Sequence, residues 1–488
     1  METQRKNKKT GRAGCITAVL LSAALTVTSC LGIPEKAKET TVDEVLQNPR
    51  VEVNTCDTVY FGSYWQEDIN GDGVADRKDD KTPIRWRILS QDGDDAYVIA
   101  DKVLDVKPYN EENTGVTWET STLRTWLNGE FLNSAFTAEE QAVIAEQILA
   151  NADNEEYDTE GGNDTKDKVY LPSIADMKNT AYGFSGDLSF DDQARLGKVT
   201  AYAKKQVLWE RGEMVCEMNR RWWLRSPGDS TDSAAGVDFY GSVITFGDYV
   251  NSSSIGVRPA LHLNLSSPLV KQGEAVQTSL KSVSWDLVEL GTYNGKPIVW
   301  RVLKADGDDV YLLSEKVLEK MKYNEKYKPV TWKESTLRNW LNGEFYKAAF
   351  SETEKAGIKK YMYENKDAPW YGTEGGENTE DYVTLLSLED MVNQEYGFPA
   401  DYYCRHQGRI ACDQDGEGNW WWLRSPGNNA DDVVSVNYNG YVFVYGACVD
   451  CNQGVRPALH FECSSSSLKK VGTVSSDGTV TGGDNLPE

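Results

Sequence analysis

The chain has 488 residues, 40% of them hydrophobic and 11% aromatic, with 51 Lys and Arg against 76 Asp and Glu, a formal charge of −25. At roughly 100–200 residues per domain, this length holds two or three folded units with ordinary cores. So acidic a chain repels phosphate backbones and anionic headgroups, which argues against a nucleic-acid partner.

The first 29 residues carry Arg5, Lys6, Lys8, Lys9 and Arg12 against Glu2, followed by an apolar run from Cys15 to Val27. That is the layout of a secretion signal, and the run is too short to span a bilayer. Val27-Thr28-Ser29-Cys30 resembles the lipobox of bacterial lipoproteins. The resemblance implies cleavage before Cys30, a lipid on its thiol, and an extracytoplasmic protein anchored to the cell membrane. The mature chain would carry a charge near −29. Residues 30–51, largely polar, read as a tether.

Next comes Asp68-x-Asn70-x-Asp72-Gly73-Val74-x-Asp76-x-x-Asp79. Oxygen ligands fall at loop positions one, three, five, nine and twelve, with the Val74 carbonyl at seven and Gly at six, the spacing of an EF-hand calcium loop. Position twelve is Asp where such loops use Glu, and an acidic solvated loop is the competing reading. Strand-like runs at Arg85–Leu89 and Ala96–Ala100 flank an Asp/Gly turn and predict a hairpin. Ser121 is placed to cap a helix through Leu127, with Asn128-Gly129 as its stop. Thr137-x-x-Glu140 has capping-box spacing, and Ser173-x-x-Asp176 fits the same logic. Beyond Trp223 the pattern returns to strands and turns, giving an α+β unit with a helical middle.

Most of this is then repeated. Trp86-Arg87-Ile88-Leu89 returns as Trp300-Arg301-Val302-Leu303, and Trp126-Leu127-Asn128-Gly129-Glu130-Phe131 as Trp340-Leu341-Asn342-Gly343-Glu344-Phe345, both shifted by 214 positions. After about fifteen extra residues in the first copy, between Ser185 and Arg221, Trp222-Trp223-Leu224-Arg225-Ser226-Pro227-Gly228 pairs with Trp421-Trp422-Leu423-Arg424-Ser425-Pro426-Gly427. Gly256-Val257-Arg258-Pro259-Ala260-Leu261-His262 pairs with Gly454-Val455-Arg456-Pro457-Ala458-Leu459-His460. Units of this size are whole domains. The expected layout is a signal peptide at 1–29, a tether at 30–51, a first domain at 52–267, a linker at 268–282, a second domain at 283–465 and a disordered Ser/Gly/Asp-rich tail at 466–488.

These motifs resemble an uncharacterised bacterial family of extracellular proteins with W-L-R-S-P-G and G-V-R-P-A-L signatures. More distantly, their order is similar to that in C-type-lectin-like domains of the formylglycine-generating-enzyme type. The wider resemblance implies two tandem C-type-lectin-like domains. It would also imply a cysteine pair near the Trp-Leu-Arg segment, which neither copy has, so the oxidase activity does not carry over.

Trp222, Trp223 and Arg225, with Trp421, Trp422 and Arg424, offer ring faces and planar donors suited to a sugar or peptide. The alternative is a packed core with paired arginines, and Arg258 and Arg456 invite that alternative too. Cys404, Cys412, Cys448 and Cys451 do not have a standard zinc spacing. Of three histidines, His262 and His460 match between copies and His406 is private to the second. No Ser/His/Asp order or phosphate-cradling glycine loop is present. The expected function is therefore a surface binding or adhesion lipoprotein whose two modules give avidity for a glycan, cell-wall or protein ligand. The rival is an extracellular enzyme with one active copy.

Overall fold

The computed structural model describes residues 46–207, 221–402, 404–463 and 468–482. The signal peptide, Cys30 and most of the tether lie outside the described residues, as does Cys216. The chain from Val45 onward forms one compact unit. It is mostly β-sheet with short helices between strands.

Each copy is built on two sheets. In the first, Thr82–Asp92 alternates Ile84 and Trp86 inward with Arg85 and Arg87 toward the surface, the two-residue period of a half-buried strand. It pairs with Asp95–Ala100 across the Gly93 turn, where φ is +60°. Among the described residues the six-stranded sheet runs Lys271–Gln272, Thr58–Tyr64, Thr82–Asp92, Asp95–Ala100, Ala260–Asn264, Ile144–Ala145. A five-stranded sheet is centred on Trp222–Pro227, with Ser233–Val237 and Val243–Tyr249 on one side and Gly256–Val257 and Asp105–Val106 on the other. The second copy repeats both arrangements, its smaller sheet centred on Trp421–Pro426. Gly62 and Gly291 occupy equivalent left-handed positions with φ of 66° and 74°. A Cβ on Gly62 would stand 2.4 Å from the Phe136 ring, and one on Gly291 would stand 2.7 Å from the carbonyl oxygen of Ala349, so neither accepts a side chain.

The helical middle is held by one polar hub per copy. Buried Asp167 accepts from Trp118 Nε1 at 3.0 Å, Arg124 Nε at 2.7 Å and Thr165 Oγ1 at 2.7 Å. Asp381 accepts from Trp332, Arg338 and Thr379 at 3.0, 2.7 and 2.8 Å. Ser121 and Ser335 cap Thr122–Trp126 and Thr336–Trp340. Asn128-Gly129 does not stop the helix, contrary to expectation. A π-helical turn, Leu127–Phe131, carries the chain into Leu132–Ala135. The Asn128 amide donates to the Arg124 and Val169 carbonyls and accepts from Lys168 N and Val169 N, so the wider turn's backbone is satisfied. Thr137 with Glu140 and Ser351 with Glu354 form reciprocal capping boxes.

The ends of the expected domains need correction. Val276–Tyr293 is a single 18-residue strand, so the second half of the predicted linker is strand. Its first half pairs with Arg50–Cys56, Arg50 opposite Ser284 and Cys56 opposite Val276. Its second half lies in the second copy's sheet between Lys296–Asp306 and Lys469–Ser475. Lys469–Ser475 and then Val480–Thr481 fall where a disordered tail was expected, because their backbone groups extend a free edge of Val276–Tyr293. The end of the expected tether is also ordered. Gln47 N and the Arg50 guanidinium donate to the fully buried Asp286 at 3.0–3.1 Å. The two copies also touch directly: Asp191 accepts from the Tyr441 hydroxyl, Gln193 Nε2 reaches Cys404 Sγ at 3.3 Å, and the Tyr240 and Tyr441 rings lie 5.0 Å apart.

Candidate functional site

The four tryptophans expected to form a binding platform are core residues. Trp222, Trp223, Trp421 and Trp422 are fully buried, and each indole N–H donates to a backbone carbonyl: Arg195, Lys107, Arg409 and Met321 respectively. Paired with their neighbours on the central strand of the small sheet, they have no face left for a ligand. Arg258 and Arg456 lie under the same rings, 5.1 and 5.0 Å from the Trp222 and Trp421 centroids, and donate to the Ala100 and Ser314 carbonyls at 2.7 Å.

Arg225 and Arg424 behave differently. Two residues beyond the buried pair, they are themselves largely buried, but each lines a cavity. Arg225 Nη1 donates to the Leu171 carbonyl at 2.9 Å and to Asp176 Oδ2 at 3.1 Å. Arg424 Nη1 repeats this with the Leu385 carbonyl at 2.8 Å and Asp390 Oδ2 at 3.2 Å. Asp176 and Asp390 are fixed by Ser173 and Ser387, whose amides donate to them at 2.7 Å, so the predicted Ser-x-x-Asp boxes hold the acid that holds the arginine. In both copies Nε of this arginine is buried and has no hydrogen-bond partner.

An aromatic wall adjoins each pair. In the first copy the Arg225 guanidinium lies 5.8 Å from the Tyr170 centroid, Tyr170 is parallel to Tyr97 at 6.0 Å, and Tyr97 stacks on His262 at 5.2 Å. In the second, Arg424 lies 5.3 Å from Tyr363, and His460 is stacked on Tyr311 at 4.4 Å and on Tyr361 at 3.9 Å. His262 Nδ1 is 2.7 Å from Asp95 Oδ2, and His460 Nδ1 is 2.8 Å from Asp309 Oδ2. Burial lowers the His460 pKa even against the pull of Asp309. The Tyr97 and Tyr363 hydroxyls are buried without partners, and burial drives both far above the ordinary tyrosine range. Asp95, Tyr97, Asp176, Tyr182, Arg225 and His262 thus recur as Asp309, Tyr311, Asp390, Tyr396, Arg424 and His460. The matched motifs carried this signal, but a tyrosine in a strand does not reveal which element it will face.

A cavity adjoins each arginine. The first copy's, about 380 Å³, is lined by Asp153, Asn154, Glu156, Ser173, Asp176 and Arg225 among others. The second copy's, about 280 Å³, is lined by Asp309, Tyr311, Tyr361, Tyr363, Arg424 and His460 among others. They lie to different sides of the arginine: only Ala150, Asp176 and Arg225 of the first lining have counterparts in the second, Glu364, Asp390 and Arg424. Among the described residues neither matched histidine is hydrogen-bonded to a hydroxyl or thiol side chain.

This constellation and its frame coincide with a recognised family. Residues 93–265 and 307–463 match the model of a domain of unknown function, DUF6273. The chain belongs to that family. The two matched segments are the two copies, so the DUF6273 unit is the one that carries the Arg–Asp pair and the His–Asp pair. No curated protein and no solved structure matches the chain.

The loop at 68–79 is an insertion in the first repeat, ahead of its DUF6273 segment. Asp68 accepts from the amides of Gly71 and Gly73 at 2.8 Å, and Asp79 accepts from Ile69, Asn70 and Asp76 at 2.7–3.0 Å. Asn70 and Asp72 each accept from the amide two residues on, at 2.9 and 3.0 Å, and Asp76 pairs with Lys78 and Lys205. Val74 donates its amide to Asp72 within this set. Among the described residues no three His, Cys, Asp or Glu side chains converge to hold a metal ion, this loop and the cysteines included. Sequence reading also missed Arg195 and Arg409. Each is fully buried and donates to several loop carbonyls, Met177 and Met391 among them. The matched Gln193-Ala194-Arg195 and Gln407-Gly408-Arg409 were the available signal, and they place the first copy's extra residues after Arg195.

Proposed function

We propose that this protein is a lipid-anchored, extracytoplasmic binding protein, and not an enzyme, whose two DUF6273 copies each present a site for an oxygen-rich ligand such as a glycan or cell-wall component. The observation that carries this reading is the duplicated arginine, Arg225 and Arg424, with Nε buried and unpartnered beside a cavity in each copy. A planar guanidinium held by a carboxylate and a carbonyl is preorganised to donate its remaining N–H to a ligand oxygen. Two such sites on one anchored chain multiply affinity for a repetitive ligand by effective concentration. A C-type-lectin-like architecture for each copy is consistent with the first and last strands meeting, Thr58–Tyr64 with Lys271–Gln272 and Val276–Tyr293 with Lys469–Ser475. The anchor is Cys30, tested by metabolic labelling with a fatty acid.

For the 68–79 loop, the self-capped geometry supports a structural role, with calcium as an added brace that a chelator would remove. A glycan array with the purified protein tests the main reading. Arg225→Gln and Arg424→Gln singly are expected to weaken binding about tenfold or more, and together to abolish it. Unchanged binding in the double variant overturns the reading, and ligand turnover would favour the enzyme alternative.

A further inference from the structure

The geometry points to a second ligand surface, in the second copy: a strip of aromatic side chains on its small sheet that takes a neutral polysaccharide chain. One face of the sheet Trp421–Pro426, Asp432–Val436, Val442–Cys448 is wholly core, through Trp421, Leu423, Val434, Val436, Val442 and Val444. On the other face Trp422 and Val433 are covered by the helical middle, while Trp420, Tyr438, Phe443 and Tyr445 stay open. Tyr438, Phe443 and Tyr445 are 54%, 37% and 38% exposed. Their rings form a continuous series: Trp420 to Tyr438 at 6.5 Å, Trp420 to Phe443 at 5.6 Å, and Phe443 to Tyr445 at 5.8 Å. A patch of joined, exposed rings on so acidic a protein marks an interaction site.

Comparison with the first copy identifies the occupant. Trp420 replaces Arg221, and Ala447 replaces Asp248; in the first copy these two form an ion pair at 2.5 Å. Phe443 replaces Ile244, and Asn428 and Asn437 replace Asp229 and Asp238. The same face has thus lost three carboxylates and one guanidinium and gained two aromatic rings and two amides. The first copy does expose Phe246 and Tyr249, but no ring contact joins them among the described residues. Ser435 replaces Gly236, opposite Phe443 in the ladder, and its hydroxyl is fully buried with no partner. Uncharged rings and amides suit a ligand that presents C–H faces and hydroxyls but no charge, which is a pyranose chain.

This surface is separate from the Arg424 cavity, and the test keeps them apart. Purified protein is run through native gels containing a soluble neutral β-glucan or, in parallel, anionic polygalacturonate. The neutral glucan is expected to retard the wild type, with Trp420→Ala and Tyr445→Ala each weakening the apparent affinity about tenfold and Phe246→Ala, at the first copy's counterpart of Tyr445, leaving it unchanged. Tyr438→Ala, at the most exposed ring, serves if Trp420→Ala does not fold by circular dichroism. No retardation, equal retardation of the aromatic variants, or stronger retention by polygalacturonate overturns the proposal. So does sedimentation showing that the strip mediates self-association, lost on Tyr445→Ala.

Discussion

The two copies share most of their interior and differ more on their outer faces. The hub of Asp167 with Trp118 and Arg124 is reproduced at Asp381 to within about 0.1 Å, whereas Arg221 and Asp248 on the small sheet have become Trp420 and Ala447. Duplication freed the surface to diverge while packing and buried polar pairing held the frame. A residue kept in both copies can be structural or functional, and burial separates the two: Trp223 is kept as core, Arg225 is kept beside a cavity.

The strongest way to break the comparison is at the hubs. Asp167→Ala and Asp381→Ala each strand a buried indole and a half-buried arginine, and each is expected to cost about 3–5 kcal/mol in chemical denaturation. A large loss in one copy only would show that equal geometry does not mean equal dependence. Acid sharpens the comparison next. His406, private to the second copy, is buried between Arg409 and Arg301, and burial lowers its pKa to about 3. Unfolded, it binds a proton near pH 6.5, so stability falls as pH drops below that, by about 2 kcal/mol at pH 5. His406→Asn should flatten this window. In the first copy, burial alone would raise the Asp101 carboxyl, but Arg87 and Arg85 hold it near 2. Its stabilisation is present above the unfolded pKa of 3.8 and is lost between there and 2. Two separated acid transitions, followed by tryptophan fluorescence, are the expected result, and one shared transition would show that the copies unfold as a unit.

Smaller effects follow at the caps. Thr137→Ala and Ser351→Ala remove equivalent capping boxes and should each cost about 1 kcal/mol in thermal denaturation. The smallest effect is expected at the unduplicated loop. With its carboxylates already occupied by backbone amides, exchanging Ca²⁺ for a chelator should change stability by less than about 0.5 kcal/mol. A larger change would make calcium part of what distinguishes the first copy.

Much of the frame was legible in the sequence, because local chemistry repeats with the chain. The hairpin around Gly93, the Thr137 and Ser351 boxes and the matched arginines follow from residues a few positions apart. The rest depends on long-range meetings. Nothing in Trp222-Trp223 states that both faces of its strand will be covered, and an aromatic pair reads equally well as platform or core. Residues up to Val51 and the segment Lys469–Ser475 are polar enough to read as tether and tail; what orders Arg50–Cys56 and Lys469–Ser475 is pairing with Val276–Tyr293, more than 200 residues from the first. The π turn at Leu127–Phe131 was hidden because Asn-Gly usually ends a helix, whereas here Asn128 bridges to Val169.

The ribbon of Arg50–Cys56 with Val276–Ser284 brackets the whole first copy between its two strands. During synthesis the first copy can therefore close its sheets while Arg50–Cys56 waits for a mate that emerges only after it is complete. The second copy in turn finishes last, when Lys469–Ser475 arrives at the opposite edge. Closing so long a loop costs only modestly more entropy than closing a short one, but it delays assembly. The unpaired early strand is where a chaperone would have its longest opportunity to act.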